Sequence, residues 1–180
     1  LIKGVKQIKQ GHFLKISLGG IEEYCYYDLN SRILNLNKKN LSATESTNEL
    51  EKVLADSVKS HLLSDAPMGI QLSGGIDSSL ITILASKINP KFSEAFSISF
   101  SDRNFDESRW ASEIASKAGV DSHSFILNSS EVVNLIDKCT WHLDQPLNHP
   151  NSIGLFLLSK RANPFVKVLL SGEGADEIFG

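Results

Sequence analysis

From residue 48 onward, short apolar runs alternate with longer stretches of helical periodicity, one or two helices between successive runs. In "STNELEKVLADSVKSHLL", Leu50, Val53, Leu54, Val58 and Leu62 fall at helical spacing, and Ser46 and Glu49 stand three apart as a capping box requires. "MGIQL" then reads as a short buried strand. "DSSLITILASKI" reads as a helix apolar nearly all round, stopped by Asn89-Pro90. "EAFSISF" is a strand, and "DESRWASEIASKAG" a helix with Trp110, Ala111, Ile114 and Ala118 on one side. "SHSFIL" is a strand. "SEVVNLIDKCTWHL" puts Val132, Leu135, Ile136, Cys139 and Leu143 on one helical face. "SIGLFLLSKRAN" is a helix stopped by Pro164, and "FVKVLL" a last strand. Strands joined through helices cannot pair as hairpins, so they form βαβ units in a parallel sheet. The expected fold class is α/β, an open parallel sheet with helices on both faces.

The first part of the chain follows another rule. "HFLKISL" has a strand's alternation, with Phe13, Ile16 and Leu18 as candidates for its buried side. Gly19-Gly20 turns the chain, and "IEEYCYYDL" returns as a second strand. A lone hairpin is marginal and needs a sheet to join. Residues 30–47 are polar and rich in Asn, Ser and Thr, which predicts a linker. The expected division is a β hairpin over 1–29, a linker over 30–47 and the α/β part over 48–180. The chain opens on "LIKGVK" without an initiator Met and ends at "EIFG", so it reads as an internal piece of a longer protein.

Composition excludes several classes. A net charge of −3 offers no basic field for nucleic acid. No apolar run approaches the roughly 18 residues of a membrane span. The two cysteines, Cys25 and Cys139, are far apart and lack CxxC spacing, which argues against a disulfide scaffold and favours a reducing cytoplasm. Cys25, inside a predicted strand, reads as a small core residue.

The chemistry concentrates where two strands end. "GIQLSGGIDSSL" stops an apolar run at Ser73-Gly74-Gly75, then opens a helix with Asp77, Ser78 and Ser79. Glycines let backbone approach an anion, the serines offer hydroxyls, and the first amides of a helix favour negative charge. Asp77 is wrong for phosphate unless a cation lies between, and Mg²⁺ is held in that way by one or two carboxylates plus phosphate oxygens. "KVLLSGEGADEIFG" runs a second strand into Ser171-Gly172 and supplies Glu173, Asp176 and Glu177. Ligands of open parallel sheets bind beyond the carboxyl ends of strands, where the winding reverses. If the two strands are neighbours, both loops face one crevice. A lone SGG is usually a turn, and a lone GEGADE is a solvated acidic loop; their complementarity argues otherwise. Neither a Walker P-loop nor a Rossmann GxGxxG is present.

"SGGIDSS" resembles the pyrophosphate-binding loop of the ATP-pyrophosphatases, which cleave ATP between its α and β phosphates. "LLSGEGADEIFG" resembles the second loop of glutamine-hydrolysing asparagine synthetases, as do "FDESRWASEIA", "LDQPLNHPNS" and "LLSKRA". "GVKQIKQGHFLKI" and "YCYYDL" resemble the end of that family's glutaminase domain. The resemblance implies an adenine nucleotide α-hydrolase-like sheet, with ATP and Mg²⁺ as cofactors. By it, Ser73, Gly74, Gly75, Asp77 and Ser78 hold pyrophosphate and its Mg²⁺, and Asp176 shares the metal. Leu72 and Ile98 flank the adenosine, with Ser171 and Gly172 near it, and Glu173 manages protons at the reacting centre. The implied reaction converts aspartate to asparagine through β-aspartyl-AMP, with ammonia from glutamine. The resemblance also implies a carbon–nitrogen ligase of small-molecule substrates, and allows a homodimer of the full-length protein. The cysteine nucleophile of the glutaminase and a later catalytic lysine would lie outside residues 1–180, so the isolated piece is expected not to make asparagine.

Three rivals remain open: an amidotransferase of the same build acting on a sugar acid or β-lactam precursor, a non-catalytic nucleotide-binding module, and a sulfur-transferring ATP-pyrophosphatase. The last lacks a basic face and catalytic cysteine spacing here. His12, His61, His123, His142 and His149 show no HxxxH or HExxH spacing, so metal ligation by them is not expected. Trp110 and Trp141 read as core or groove fillers, and Asp106 and Glu107 as helix-opening acids.

Overall fold

The fold is described from a computed structural model, which covers residues 3–34, 40–100, 108–147, 149 and 151–179. The chain divides into two compact units, Leu1–Ser46 and Thr47–Gly180.

In the first unit, β1 (His12–Ser17) and β2 (Gly20–Cys25) pair antiparallel, with Ser17 opposite Gly20. The turn is therefore Leu18-Gly19, one residue earlier than the glycine pair suggests. Gly20 takes φ 130°, a conformation that favours glycine. Phe13 stacks on its cross-strand partner Tyr24 with ring centroids 5.3 Å apart. The expected buried side is not buried: Phe13 is 48%, Ile16 73% and Leu18 fully exposed. Two strands alone have no second layer, and their side chains cover only each other. Cys25 is exposed too, its thiol donating to the Tyr27 carbonyl, so the expectation of a core cysteine fails there.

The stretch expected as a linker carries structure. Helix α1 spans Leu29–Leu34, opened by Asp28, whose carboxylate accepts from the Asn30 and Ser31 amides. Helix α2 starts at Ala43 and runs to His61. Its capping box is Ser42 with Glu45, not Ser46 with Glu49: Glu45 accepts from the Ser42 amide at 2.9 Å, and Ser42 Oγ accepts from the Glu45 amide at 3.3 Å. The sequence holds the same S-x-x-E frame twice, four residues apart, and the helix begins at the earlier one. The periodic stripe of α2 is only partly used. Val58 is buried and Leu62 packs on the core, while Leu50 and Val53 stay exposed.

The second unit is the expected α/β fold. Its elements are β3 (Met68–Gln71), α3 (Ile76–Ile88), β4 (Glu94–Phe100), α4 (Ser108–Ala118), β5 (Asp121–Leu127), α5 (Ser129–Leu143), α6 (Asn151–Ala162), β6 (Val168–Leu170) and α7 (Asp176–Phe179). The four strands lie in the order β5-β4-β3-β6, all pairs parallel. One face packs Ile70, Leu72 and Ala95 against Ala85 of α3 and Ala111 and Ala115 of α4. The other packs Phe96 against Leu158 and Ala162 of α6, while Leu127 meets Leu135 and Cys139 of α5. Small residues on α3 and α4 let those helices sit close to the sheet. At Gly69 an added Cβ would lie 2.7 Å from the Phe96 ring, so glycine there admits the largest buried side chain of the core.

Trp110 and Trp141 are 57% and 80% exposed, contrary to the core reading. Alanines on α4 take the sheet-facing positions, leaving no depth for an indole. On α5, Ile136 and Leu143 are likewise half-exposed beside the buried Leu135 and Cys139. Asp106 and Glu107 lie outside the described residues. Among the described residues no helix is long and apolar enough to cross a membrane.

Candidate active site

The winding of the sheet decides where a ligand goes. From β3 the chain steps outward to β4 and β5, then returns to place β6 on the opposite side of β3. The order reverses between β3 and β6, and the two Ser-Gly loops leave the carboxyl ends of those two strands.

The first loop holds its own shape. The Ser73 amide donates to Ser78 Oγ at 3.3 Å, the two hydroxyls lie 2.9 Å apart, and the Gly75 amide donates to Ser73 Oγ at 3.2 Å. Ser78 Oγ donates to the Gly75 carbonyl at 3.2 Å. Gly74 takes φ +90°, so the turn demands glycine at that position. Gly75 is the N-cap of α3 and offers no side chain to the first turn. The N–H groups there are thus not consumed by a capping side chain and remain open to an anion. Thr82 Oγ donates to the Ser78 carbonyl at 2.7 Å, tying the first turn to the buried face of the helix.

The second loop touches the first. A Cβ built on Gly172 would lie 2.9 Å from the Ser78 amide nitrogen and 3.1 Å from Asp77 Cβ. Only a residue without a side chain permits that approach. The Glu173 amide donates to Ser171 Oγ at 3.0 Å, and Gly174 turns with φ +91°.

Between the loops lies a cavity of about 180 Å³. Ser73, Gly75, Asp77 and Ser78 line it from one side, and Ser171, Gly172, Glu173 and Asp176 from the other. Gly74 makes the turn without lining the cavity, and Ser79 is buried within α3. The lining includes four carboxylates, from Asp77, Glu173, Asp176 and Glu177, and among the described residues no lysine, arginine or histidine. Such a cavity repels a bare phosphate and accepts one only with a cation. Among the described residues no three His, Cys, Asp or Glu side chains form a metal site by themselves. That donor set fits Mg²⁺, which takes one or two carboxylates and completes its shell with phosphate oxygens and water.

A second cavity of about 540 Å³ adjoins it, within the range of small-molecule sites. Ile98, Leu155 and Leu158 give it apolar walls, and Leu72, only 1% exposed, is mostly spent in the core beneath. Gln71, Ser73 and Glu173 line both cavities, so Glu173 stands at their junction. Gln71, Ser97, Asn151 and Ser152 were not singled out from sequence. Gln71 carried a signal, being polar at the last position of a central strand. Asn151 and Ser152 follow a loop whose path no periodicity reveals. His149 lines neither cavity, and its neighbours Asn148 and Pro150 lie outside the described residues.

The Asparagine synthase family matches residues 49–180. The chain is 42% identical over 132 residues, 73% of its length, to glutamine-hydrolyzing asparagine synthetase 1 of Bacillus subtilis, of which it covers 21%. It is 33% identical over all 180 residues to a putative glutamine-hydrolyzing asparagine synthetase of Mycobacterium bovis, covering 28% of that protein. It is 30% identical over 98% of its length to asparagine synthetase B of Escherichia coli, covering 33% of it. The chain thus spans a third or less of the length of these relatives.

Proposed function

The chain belongs to the asparagine synthase family, and from that premise we propose that it is the nucleotide-activating part of a glutamine-hydrolysing asparagine synthetase. The β and γ phosphates of ATP occupy the narrow cavity against the first turn of α3, with Asp77 and Asp176 sharing Mg²⁺. The adenosine lies in the wider cavity beside Leu72 and Ile98, with Ser171 and Gly172 close by. The α-phosphorus then falls at the junction. There the β-carboxylate of aspartate attacks it, pyrophosphate leaves, and β-aspartyl-AMP forms. Ammonia attacks the acyl carbon next, AMP departs, and Glu173 takes the proton that the nitrogen sheds.

The observation that carries this reading is the contact of Gly172 with Asp77 and Ser78, which brings both loops to one cavity and sets Glu173 where it meets the other. A bound Mg²⁺ would neutralise charge on the departing pyrophosphate. The chain's own part is to donate first-turn amides, to position acids and to keep the reacting carbon near Glu173. Residues 1–29 are proposed as the end of the glutaminase domain and 48–180 as the synthetase domain. The reaction itself belongs to the longer protein.

The test incubates that longer protein with Mg·ATP, ammonia and aspartate and identifies the products. Aspartate-dependent AMP, pyrophosphate and asparagine are expected. AMP formed only with another carboxylic acid would refute aspartate as the acceptor while keeping the mechanism.

A further inference from the structure

Three residues line both cavities: Gln71, Ser73 and Glu173. The Ser73 proton is already given away. Ser78 Oγ donates to the Gly75 carbonyl, so the bond between the two hydroxyls runs from Ser73 to Ser78. A carboxylate such as Glu173 only accepts. The donor left at the junction is the Gln71 carboxamide, which has no hydrogen bond of its own among the described residues. Of the described residues on the narrow cavity, Gln71 alone has a side chain with N–H groups.

The strand aims that side chain into the site. Ile70 and Leu72, on either side of it, belong to the core against α3 and α4. Alternation therefore turns Gln71 to the other face, with its register partner Phe96 and with the Ile98 and Leu158 that wall the wider cavity. Strands buried on both faces are ordinarily apolar throughout, and Gln71 interrupts β3 at its last position. Pairing of β3 with β4 on one side and β6 on the other holds its backbone in place.

We infer that the Gln71 carboxamide donates a hydrogen bond to a non-bridging oxygen of the α-phosphate and acts in the activation step. The inference rests on the reading above, which runs ATP from one cavity to the other and so carries the α-phosphate past Gln71. In that step a carboxylate oxygen bonds to the α-phosphorus. The bond to the bridging oxygen breaks, and its electron pair leaves with pyrophosphate. Negative charge gathers on the non-bridging oxygens meanwhile, beside the acid Glu173. A fixed N–H there favours the transition state over the bound substrate.

Gln71→Leu keeps the bulk and removes the donors, and Gln71→Glu keeps the shape without the N–H groups. AMP release is followed in the longer protein with Mg·ATP, ammonia and a carboxylic acid that supports turnover. In Gln71→Leu, kcat should fall about 10- to 100-fold, the worth of a hydrogen bond to a charged oxygen, while KM for Mg·ATP changes less than about threefold. Its unfolding midpoint should match the parent's. Gln71→Glu should be slower still at neutral pH. Toward about pH 6 it should recover part of the loss relative to the parent at the same pH, because Asp77, Glu173, Asp176 and Glu177 around the cavity favour the protonated acid, which donates again. Should Gln71→Leu not fold, that pH dependence decides the question. An unchanged kcat overturns the inference, as does a loss confined to KM. A loss in both variants that no pH relieves, with a lowered unfolding midpoint, marks a packing role and overturns it too. No AMP from the unsubstituted protein with any carboxylic acid refutes the reading above, and this inference with it.

Discussion

Replacing Gly172 by alanine should separate the two loops that make the site. The backbone at Gly172 is not in the left-handed region, so space alone is at issue. The new Cβ would stand 2.9 Å from Ser78 N, 3.1 Å from Asp77 Cβ and 3.2 Å from the Asp77 carbonyl carbon. Ordinary contacts of this kind begin at 3.4 Å, so a retreat of about half an ångström is required. Neither neighbour can swing aside, because both belong to the backbone or its first carbon. Forcing an extra methyl into a packed contact costs about 1–3 kcal/mol. The displaced atoms are the first-turn amide and the acid that meet phosphate, so much of that cost should appear in binding. At 1.4 kcal/mol per factor of ten, Mg·ATP affinity should weaken roughly 5- to 100-fold. Titration calorimetry on the 180-residue chain, well below its unfolding temperature, reads the loss directly. A variant that binds Mg·ATP as tightly as its parent, with unchanged thermal stability, would refute the contact and the joined site built on it.

Two further outcomes follow from the packing away from the site. His123 Nε2 and Glu94 Oε2 lie 2.7 Å apart on neighbouring strands, each side chain about a quarter exposed, and the imidazole stacks on Phe96 at 5.0 Å. Glu94→Gln should therefore destabilise the sheet by about 1 kcal/mol, between the worth of surface and buried pairs, lowering the midpoint of thermal unfolding by about 2–4 °C; no change would show the contact to be idle. The Glu45 carboxyl is held below its ordinary value of 4.5 by the Ser42 hydroxyl first, then by the Ser42 amide. A depressed carboxylate stabilises the fold above its unfolded value and loses that contribution as pH falls through the folded one. Helicity at the start of α2 should thus decline below about pH 4.5, and Ser42→Ala should return the Glu45 titration, followed by NMR, toward the ordinary value. An unmoved titration would place the capping box elsewhere.

The α/β alternation was legible because each βαβ unit writes its own period, and a parallel sheet follows from connections too long for hairpins. The meeting of the two loops was legible for a local reason. Two apolar runs each end in more small polar and acidic residues than a turn needs, and Asp77, Glu173 and Asp176 line one cavity in the fold. What failed depended on tertiary partners. Phe13 and Ile16 have a strand's pattern, yet pattern does not say whether a second layer covers it. Trp110 sits on the proper helical face, but Ala111 and Ala115 bring that helix too near the sheet for it. The start of α2 failed because Ser42 and Ser46 offer the same local frame, and local rules do not choose between equals.

The central claim is that one nucleotide triphosphate bridges both loops through a metal. It is tested most directly by titrating the 180-residue chain with ATP, with and without Mg²⁺, alongside Asp77→Asn and Asp176→Asn. Four carboxylates and, among the described residues, no basic side chain line the narrow cavity, so ATP should bind only with the divalent cation, and each substitution should weaken that binding. ATP binding of equal strength without any divalent metal, or binding that survives both substitutions unchanged, would contradict the account.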